Sequence, residues 1–280
     1  MDVEAPAAGA PHGRAALIAA QAVDAATGRV PAGAVPVTPA DIGPVQVNLQ
    51  FRDPLGPDGG LWQDVRVPSV PQHSPRPPEW PALPDEPHGV VIAGDGAGPA
   101  ARELAEARGW PLLAEPTSRA REGACAVAGY QDLLAADATE GLLRSVRLVV
   151  VVGRPTLTRG VSRLIARTPS LISVAHGARW TEAPAHADTV LPAMPSSWLV
   201  AGARSDAAWL RSWKAAARAA ARAAVPWDRR VVARAVLGAV AGSGAALVVG
   251  SSLPIRAVDA VAPAWSVGGS PAVIANRGLA

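Results

Sequence analysis

The chain has 280 residues, of which 49% are hydrophobic and 18% are charged, so it can bury a sizeable core and is not a disordered polypeptide. Its net charge is only +3, and the pI of about 9.9 reflects a small excess of arginine that does not indicate a nucleic-acid partner. The single cysteine, Cys125, excludes a disulfide framework and a cysteine metal cluster, and it fits a reducing compartment.

Two elements are predicted in residues 1–54. Residues 14–26 have the apolar spacing of a helix that ends at Gly28, and residues 43–51 alternate apolar with polar side chains as a strand does. One helix and one strand cannot bury a core of their own. We therefore interpret residues 1–54 as the last part of a domain.

A proline-rich segment covers residues 55–87. Ten of the 34 residues from Pro54 to Pro87 are proline, which predicts an extended, semi-rigid linker between domains. A ligand for a proline-recognising domain is the alternative interpretation.

Residues 88–225 show apolar strands that alternate with amphipathic helices. Strands or apolar runs are predicted at residues 90–93, 112–113, 146–152 and 171–175, and helices at residues 100–108, 131–135 and 159–166. Alternation at this spacing is typical of a parallel sheet covered on both faces. The predicted fold class is α/β, with a doubly wound, Rossmann-like central domain.

A long helix is predicted from Ser205 and Asp206, which supply an N-cap, to about residue 225. Four basic residues share one face of this helix: Arg211, Lys214, Arg218 and Arg222. We interpret this face as solvated; the alternative is a stripe that binds phosphate or nucleic acid.

Residues 226–280 predict a helix at residues 227–240 and strands at residues 247–249 and 272–275. Residues 235–255 are uncharged over the length of a membrane-spanning helix, but glycines and a proline interrupt them, which favours helix, turn and strand. The acidic amino terminus does not resemble a signal peptide. The prediction is a cytoplasmic chain without a transmembrane segment.

A glycine-rich turn, residues 94–98 (GDGAG), follows one predicted strand and opens a predicted helix, as the glycines of dinucleotide sites do. Pro99 stands where the third glycine of that pattern belongs, so a tight turn without a ligand is favoured over a nucleotide site.

Arginines follow three of the predicted strands. Arg154 and Arg159 offer the forked geometry that guanidinium uses for carboxylates, although a structural ion pair or a solvated loop fits equally well. Ser252 and Arg256 follow a later strand and Arg277 follows the next. If those two strands are neighbours, the three side chains converge on an anion pocket that suits a dicarboxylate. The five histidines lack metal-ligand spacing, and no catalytic residue is assigned.

Five segments run along the chain in a particular order: residues 43–48 with 52–55 (GPVQVN, RDPL), 90–98 (VVIAGDGAG), 153–157 (GRPTL), 251–256 (SSLPIR) and 276–278 (NRG). In order and approximate spacing they resemble one family, the 2-succinyl-5-enolpyruvyl-6-hydroxy-3-cyclohexene-1-carboxylate synthases, especially its actinobacterial members. The resemblance implies three α/β domains. Residues 1–54 then correspond to the C-terminal remnant of the pyrimidine-binding domain, 88–225 to the central domain and 226–280 to the start of the diphosphate-binding domain.

The resemblance also implies a reaction of menaquinone biosynthesis. Thiamine diphosphate, held through Mg²⁺, decarboxylates 2-oxoglutarate, and the resulting carbanion adds to isochorismate. Both substrates are small carboxylates, and the resemblance assigns Ser252, Arg256 and Arg277 to the substrate site, with Arg159 matched more loosely. The family forms homo-oligomers.

Two departures from the family stand out. No segment resembles the glutamate-bearing part of the first domain, and the triplet around Asp95 is not followed at a suitable distance by asparagine, since Asn48 and Asn276 are the two asparagines. The segments that bind thiamine diphosphate and Mg²⁺ are thus expected to be absent. We hypothesise that the chain is inactive alone, as a gene fragment, a miscalled frame or half of a split enzyme with a complementing chain. The alternative is a free-standing Rossmann-like module that binds a small carboxylate or nucleotide without catalysis.

Overall fold

The computed structural model describes residues 2–4, 22–23, 48–50, 80–174, 187–200, 202, 204–223 and 228–275. Contacts divide the chain into two units, Met1–Glu79 and Trp80–Ala280. In the first unit, β1 (Asp2–Glu4) and β2 (Asn48–Gln50) pair in parallel, with Asp2 opposite Asn48. β2 confirms part of the strand predicted at residues 43–51. Most of the helix predicted at 14–26 and the linker up to residue 79 lie outside the described residues.

The second unit contains a five-stranded parallel sheet with strand order β4-β3-β5-β6-β7. Its strands are β3 (Gly89–Ala93), β4 (Leu112–Ala114), β5 (Leu148–Val152), β6 (Ser170–Val174) and β7 (Thr189–Leu191). The chain adds β4 on one side of β3 and the later strands on the other, as in a doubly wound sheet. The predicted α/β fold class is confirmed.

Helices connect and cover these strands. They are α1 (Pro99–Arg108), α2 (Tyr130–Ala135), α3 (Glu140–Arg144), α4 (Arg159–Arg167) and α5 (Ala207–Ala223), with short 3-10 turns at Pro116–Ser118, Asp137–Thr139 and Ser196–Trp198. Gly109 ends α1 in the left-handed conformation. The cap predicted at Asp206 is present, since its Oδ1 accepts a hydrogen bond from the Ala208 amide at the start of α5.

The core of this unit lies on both faces of the sheet. Val90 and Ile92 point to the face that packs against α2, α4 and α5, whereas Val91 points to the opposite face, and all three side chains are fully buried. Trp209 and Trp213 of α5 pack edge to face over this core, with ring centroids 5.8 Å apart. Burial on both faces explains why these strands consist almost entirely of apolar residues.

The final elements are α6 (Asp228–Val240), β8 (Ala246–Val249), α7 (Leu253–Val261) and β9 (Ala272–Ala275). β8 and β9 pair in parallel, with Val248 opposite Ile274, so the two late strands are neighbours. No helix in the described part of the chain is long and apolar enough to cross a membrane. The division of this unit into domains at residue 225 stays a prediction.

α7 is an element that the sequence pattern did not predict. Pro254 suggested a break, but it occupies the first turn of α7, where a backbone N–H has no partner within the helix and its absence costs little.

A candidate carboxylate-binding site

The loops that follow β3 and β5 lie against each other, backbone to backbone. Asp95 and Arg154 exchange two backbone hydrogen bonds of 3.0 and 2.9 Å. A Cβ on Gly94 would lie 2.1 Å from the Arg154 carbonyl carbon, and one on Gly153 would lie 2.3 Å from the Asp95 carbonyl oxygen. Only glycine permits this approach.

This contact also determines what the glycine-rich turn can bind. The Asp95 amide bonds to Arg154, the Ala97 amide to Gly94 and the Gly98 amide to Ser118, all through carbonyl oxygens. A phosphate site needs such amides to be available for the ligand. The interpretation of residues 94–98 as a structural turn is therefore supported.

A buried carboxylate holds the β5–α4 loop in place. Glu115 follows β4 and is 2% exposed, and its Oε1 accepts hydrogen bonds of 2.7 and 2.8 Å from the amides of Thr156 and Leu157. A carboxylate that accepts two amides is a strong hydrogen-bonding arrangement. Glu115 thus determines where Thr156 lies.

The amino-terminal end of α7 faces the same region. Ser252 occupies the N-cap position with φ 71°, and its side chain makes no capping hydrogen bond. Arg256 lies one turn further along, with an exposed side chain. In the part of the chain that the structure describes, its guanidinium forms no ion pair. A helix amino terminus and an uncommitted arginine both favour a bound anion.

The loops that follow β4 and β5 meet the start of α7 at a cavity of about 170 Å³. Its lining residues are Thr117, Thr156, Leu157, Ser251, Ser252, Ile255, Arg256 and Ala275. The lining combines four hydroxyl-bearing side chains with one arginine, and lies beside the end of β9. Such a set of groups can bind a carboxylate through hydrogen bonds and charge.

The predicted substrate-site residues fall into three groups. Ser252 and Arg256 line the cavity together. Arg277 lies outside the described residues, two positions after the end of β9. Arg159 is the exposed first residue of α4 and does not line this cavity, so its role stays a prediction.

Sequence reasoning named the loop of residues 153–159 for its arginines, but Thr156 and Leu157 are the residues of that loop that line the cavity. It did not identify Thr117 or Glu115. Their position directly after β4, at the carboxyl edge of a parallel sheet, was the available signal.

A buried polar cluster joins α7 to the rest of the unit. Arg121 Nη1 lies 2.5 Å from Asp259 Oδ1, and their side chains are 3% and 0% exposed. Tyr130 donates its hydroxyl to Asp259 Oδ2 at 2.7 Å, and Gln131 donates to the same oxygen. Burial raises the pKa of Asp259, and Arg121 and the two donors oppose this effect. Burial and the nearby Asp259 carboxylate raise the pKa of Tyr130.

In the part of the chain that the structure describes, the side chains do not fit a magnesium–diphosphate site. Over the described residues, no three histidine, cysteine, aspartate or glutamate side chains lie together as metal ligands would. Asp95 belongs to the turn that packs against Arg154.

Comparison with known proteins gives no match to a family model. Several relatives carry the name 2-succinyl-5-enolpyruvyl-6-hydroxy-3-cyclohexene-1-carboxylate synthase, and three of them illustrate the similarity. The one from Nocardioides sp. is 41% identical over 257 residues, covering 88% of this chain and 47% of that protein. The relative from Kineococcus radiotolerans is 41% identical, covering 85% and 44%, and that from Renibacterium salmoninarum is 35% identical, covering 92% and 45%. The chain belongs by sequence to this synthase family, and it spans about half the length of the relatives it matches.

Proposed function

We propose that the chain contributes a carboxylate-binding site to the synthase reaction of menaquinone biosynthesis. In that reaction, 2-oxoglutarate is decarboxylated with thiamine diphosphate and the carbanion adds to isochorismate. The observation that carries the proposal is the cavity in which Ser252 and Arg256 meet Thr117 and Thr156.

The chemistry of the cavity supports a carboxylate end of a substrate as the ligand. Arg256 and the amino terminus of α7 supply positive charge. Ser252 and Thr156, which carry hydroxyl groups, line the cavity. The volume of about 170 Å³ is smaller than that of typical pockets for whole ligands. The cavity therefore suits one carboxylate group of a small acid.

In this proposal the cofactor, and not the residues of this chain, carries out the bond-breaking and bond-forming steps. Thiamine diphosphate supplies the carbanion chemistry when it is bound, whereas this chain's residues bind and orient a carboxylate. We propose that the chain alone does not catalyse the reaction, because Asp95 lies in a turn that packs against Arg154 and the described residues hold no cluster of metal-ligating side chains. Activity then requires a complementing chain or the remaining length of the family's protein.

Isothermal titration of the purified chain tests this proposal. The chain is titrated with thiamine diphosphate and Mg²⁺, and then with 2-oxoglutarate. We expect 2-oxoglutarate to bind without the cofactor and Arg256→Ala to weaken that binding by about tenfold, because the charged hydrogen-bonding partner is lost. Arg218→Ala removes another exposed arginine, from α5, and serves as the matched control.

Absence of 2-oxoglutarate binding, or equal weakening by Arg218→Ala, contradicts the carboxylate site. Binding of the cofactor with Mg²⁺ to the chain alone contradicts the proposed need for further segments.

A free-standing binding module is the second candidate, because the five-stranded sheet forms its own core. The occupied amides of the turn at residues 94–98 argue against a nucleotide as its ligand. Light scattering discriminates the candidates: a monodisperse monomer that binds a dicarboxylate supports the module, whereas self-association or capture of a complementing chain supports a synthase component.

A further inference from the structure

A fully buried ion pair connects α7 to the body of the unit. Arg121 donates through Nη1 to Asp259 Oδ1 at 2.5 Å and to the Ala114 carbonyl at 3.0 Å. Its Nη2 donates to the carbonyl oxygens of Asp259 at 2.9 Å and of Ala262 at 2.7 Å. One guanidinium thus bonds to the end of β4 and to the last turn of α7 at the same time.

Asp259 is contacted from a second element of the body. Tyr130 and Gln131, at the start of α2, both donate to its Oδ2. The Asp259 carboxylate consequently has a partner for each oxygen. These partners come from two parts of the chain that precede α7 by more than 100 residues.

The rest of α7 packs through apolar side chains. Ile255, Ala257 and Val258 belong to a small cluster with residues of α6 and β8. Apolar contacts are not directional, so they do not by themselves prevent a short helix from rotating or sliding. A buried ion pair contributes little net stability compared with apolar residues of similar volume, but in some proteins it determines a unique register.

The ion pair lies close to the candidate site along the helix. Asp259 follows Arg256 by three residues, which is about 4.5 Å of helical rise. Ser252 is the N-cap of the same nine-residue helix. Because the helix moves as one rigid element, its position at Asp259 determines where Ser252 and Arg256 lie relative to Thr117 and Thr156.

We propose that Arg121 and Asp259 are positioning residues, whose buried ion pair sets the register of α7 so that Ser252 and Arg256 face Thr117 and Thr156 across the cavity. This inference rests on the proposed function for its ligand. The arrangement of α7 itself can be measured without any ligand.

The test compares two ways of removing the ion pair. Asp259→Asn leaves the Arg121 guanidinium buried without its counter-charge and is expected to destabilise the fold. The double variant Arg121→Met/Asp259→Leu replaces both partners by apolar residues of similar size and is expected to fold. Asp132→Asn is the matched control, since Asp132 of α2 forms its ion pair with Arg230 of α6, at 2.5 Å, and not with a residue of α7.

Two readouts are taken on the 280-residue chain. The first is 2-oxoglutarate affinity by titration, which we expect to fall about tenfold in the double variant and to be unchanged in Asp132→Asn. The second is the distance between nitroxide labels at Thr156→Cys and Arg256→Cys in a Cys125→Ala background, measured by electron paramagnetic resonance. We expect one narrow distance in the labelled parent and control, and a shifted or broadened distance in the labelled double variant.

The outcomes separate the two proposals. An unchanged label distance in the double variant overturns the positioning role, whether or not the parent binds 2-oxoglutarate. A changed distance in a protein whose parent does not bind 2-oxoglutarate supports the positioning role and contradicts the proposed function. A changed distance with unchanged affinity overturns the link between the ion pair and the ligand.

Discussion

The five-stranded and the two-stranded sheets of the second unit are built from similar residues but are covered differently. β5 reads LVVVV and β8 reads ALVV, yet Val150 is fully buried while Val248 is 72% exposed. β5 lies between β3 and β6 with helices over both faces, whereas in the described part of the chain β8 pairs only with β9. The burial of an apolar strand is thus determined by its neighbours and not by its composition.

The candidate site joins these two regions. Thr117 and Thr156 follow strands of the five-stranded sheet, and Ser252 and Arg256 belong to the turn and helix that follow β8. Arg121 and Asp259 connect the same two regions inside the protein. The position of the two-stranded region therefore depends on a few polar contacts as well as on apolar packing.

An aspartate substituted into each sheet is expected to give the largest difference in the free energy of unfolding between the two regions. Val150→Asp buries an unpaired carboxylate and should cost more than about 4 kcal/mol of stability or prevent folding. Val248→Asp places the same group on an exposed strand face and should change the free energy of unfolding by about 0.5 kcal/mol or less. Urea denaturation followed by tryptophan fluorescence measures both. Equal losses would show that Val248 is covered in solution.

Substitution of Glu115 tests how the β5–α4 loop of the five-stranded region is held in place. Glu115→Gln removes the charge that accepts the amides of Thr156 and Leu157 and should lower stability by about 1–3 kcal/mol. Amide hydrogen exchange at those two residues should accelerate.

Glu122→Gln is the control for this change. The Glu122 carboxylate also accepts two amides, those of Gly268 and Ser270, but it is only half-buried. A smaller loss is expected there, because water can replace the weakened hydrogen bonds. A loss equal to that of Glu115→Gln contradicts the importance of burial.

The smallest expected effect concerns Cys125. The reaction of its buried thiol with a reagent measures how often the five-stranded region opens. Burial, followed by the nearby Glu106 carboxylate, raises the pKa of its thiol from 9.0 to about 11. At pH 8 the native protein should react very slowly with a thiol reagent, while the protein in guanidinium chloride should react at once.

The contribution of the Cys125 thiol to stability should fall at high pH. The folded protein keeps the Cys125 proton at pH values at which an unfolded thiol has lost it, so this contribution to stability is complete below about pH 9 and is lost as the pH rises through about 11. Rapid native reaction at pH 8 would contradict the burial of this side chain.

Most of the secondary structure of the second unit could be predicted from local patterns. β3, β5 and α4 follow from apolar runs and from the spacing of Val161, Leu164 and Ile165, all of which are buried. Whether the two late strands are neighbours was left open by the sequence, and the pairing of β8 with β9 answers it. α7 was missed because a proline inside a short apolar segment reads as a break, although it fits the first turn of a helix.

By itself, the amino-acid sequence predicted the α/β class, most strands, most helices and the membership of the synthase family, and it named Ser252 and Arg256 as candidate site residues. These features depend on short-range periodicity, or on motifs that stay recognisable without coordinates. Only the tertiary structure decided that Thr117 and Thr156 complete the cavity, that Glu115 holds the loop, and that Arg121 pairs with Asp259. Those contacts join residues far apart in sequence, and no local pattern specifies which buried polar groups will meet when strands and helices pack.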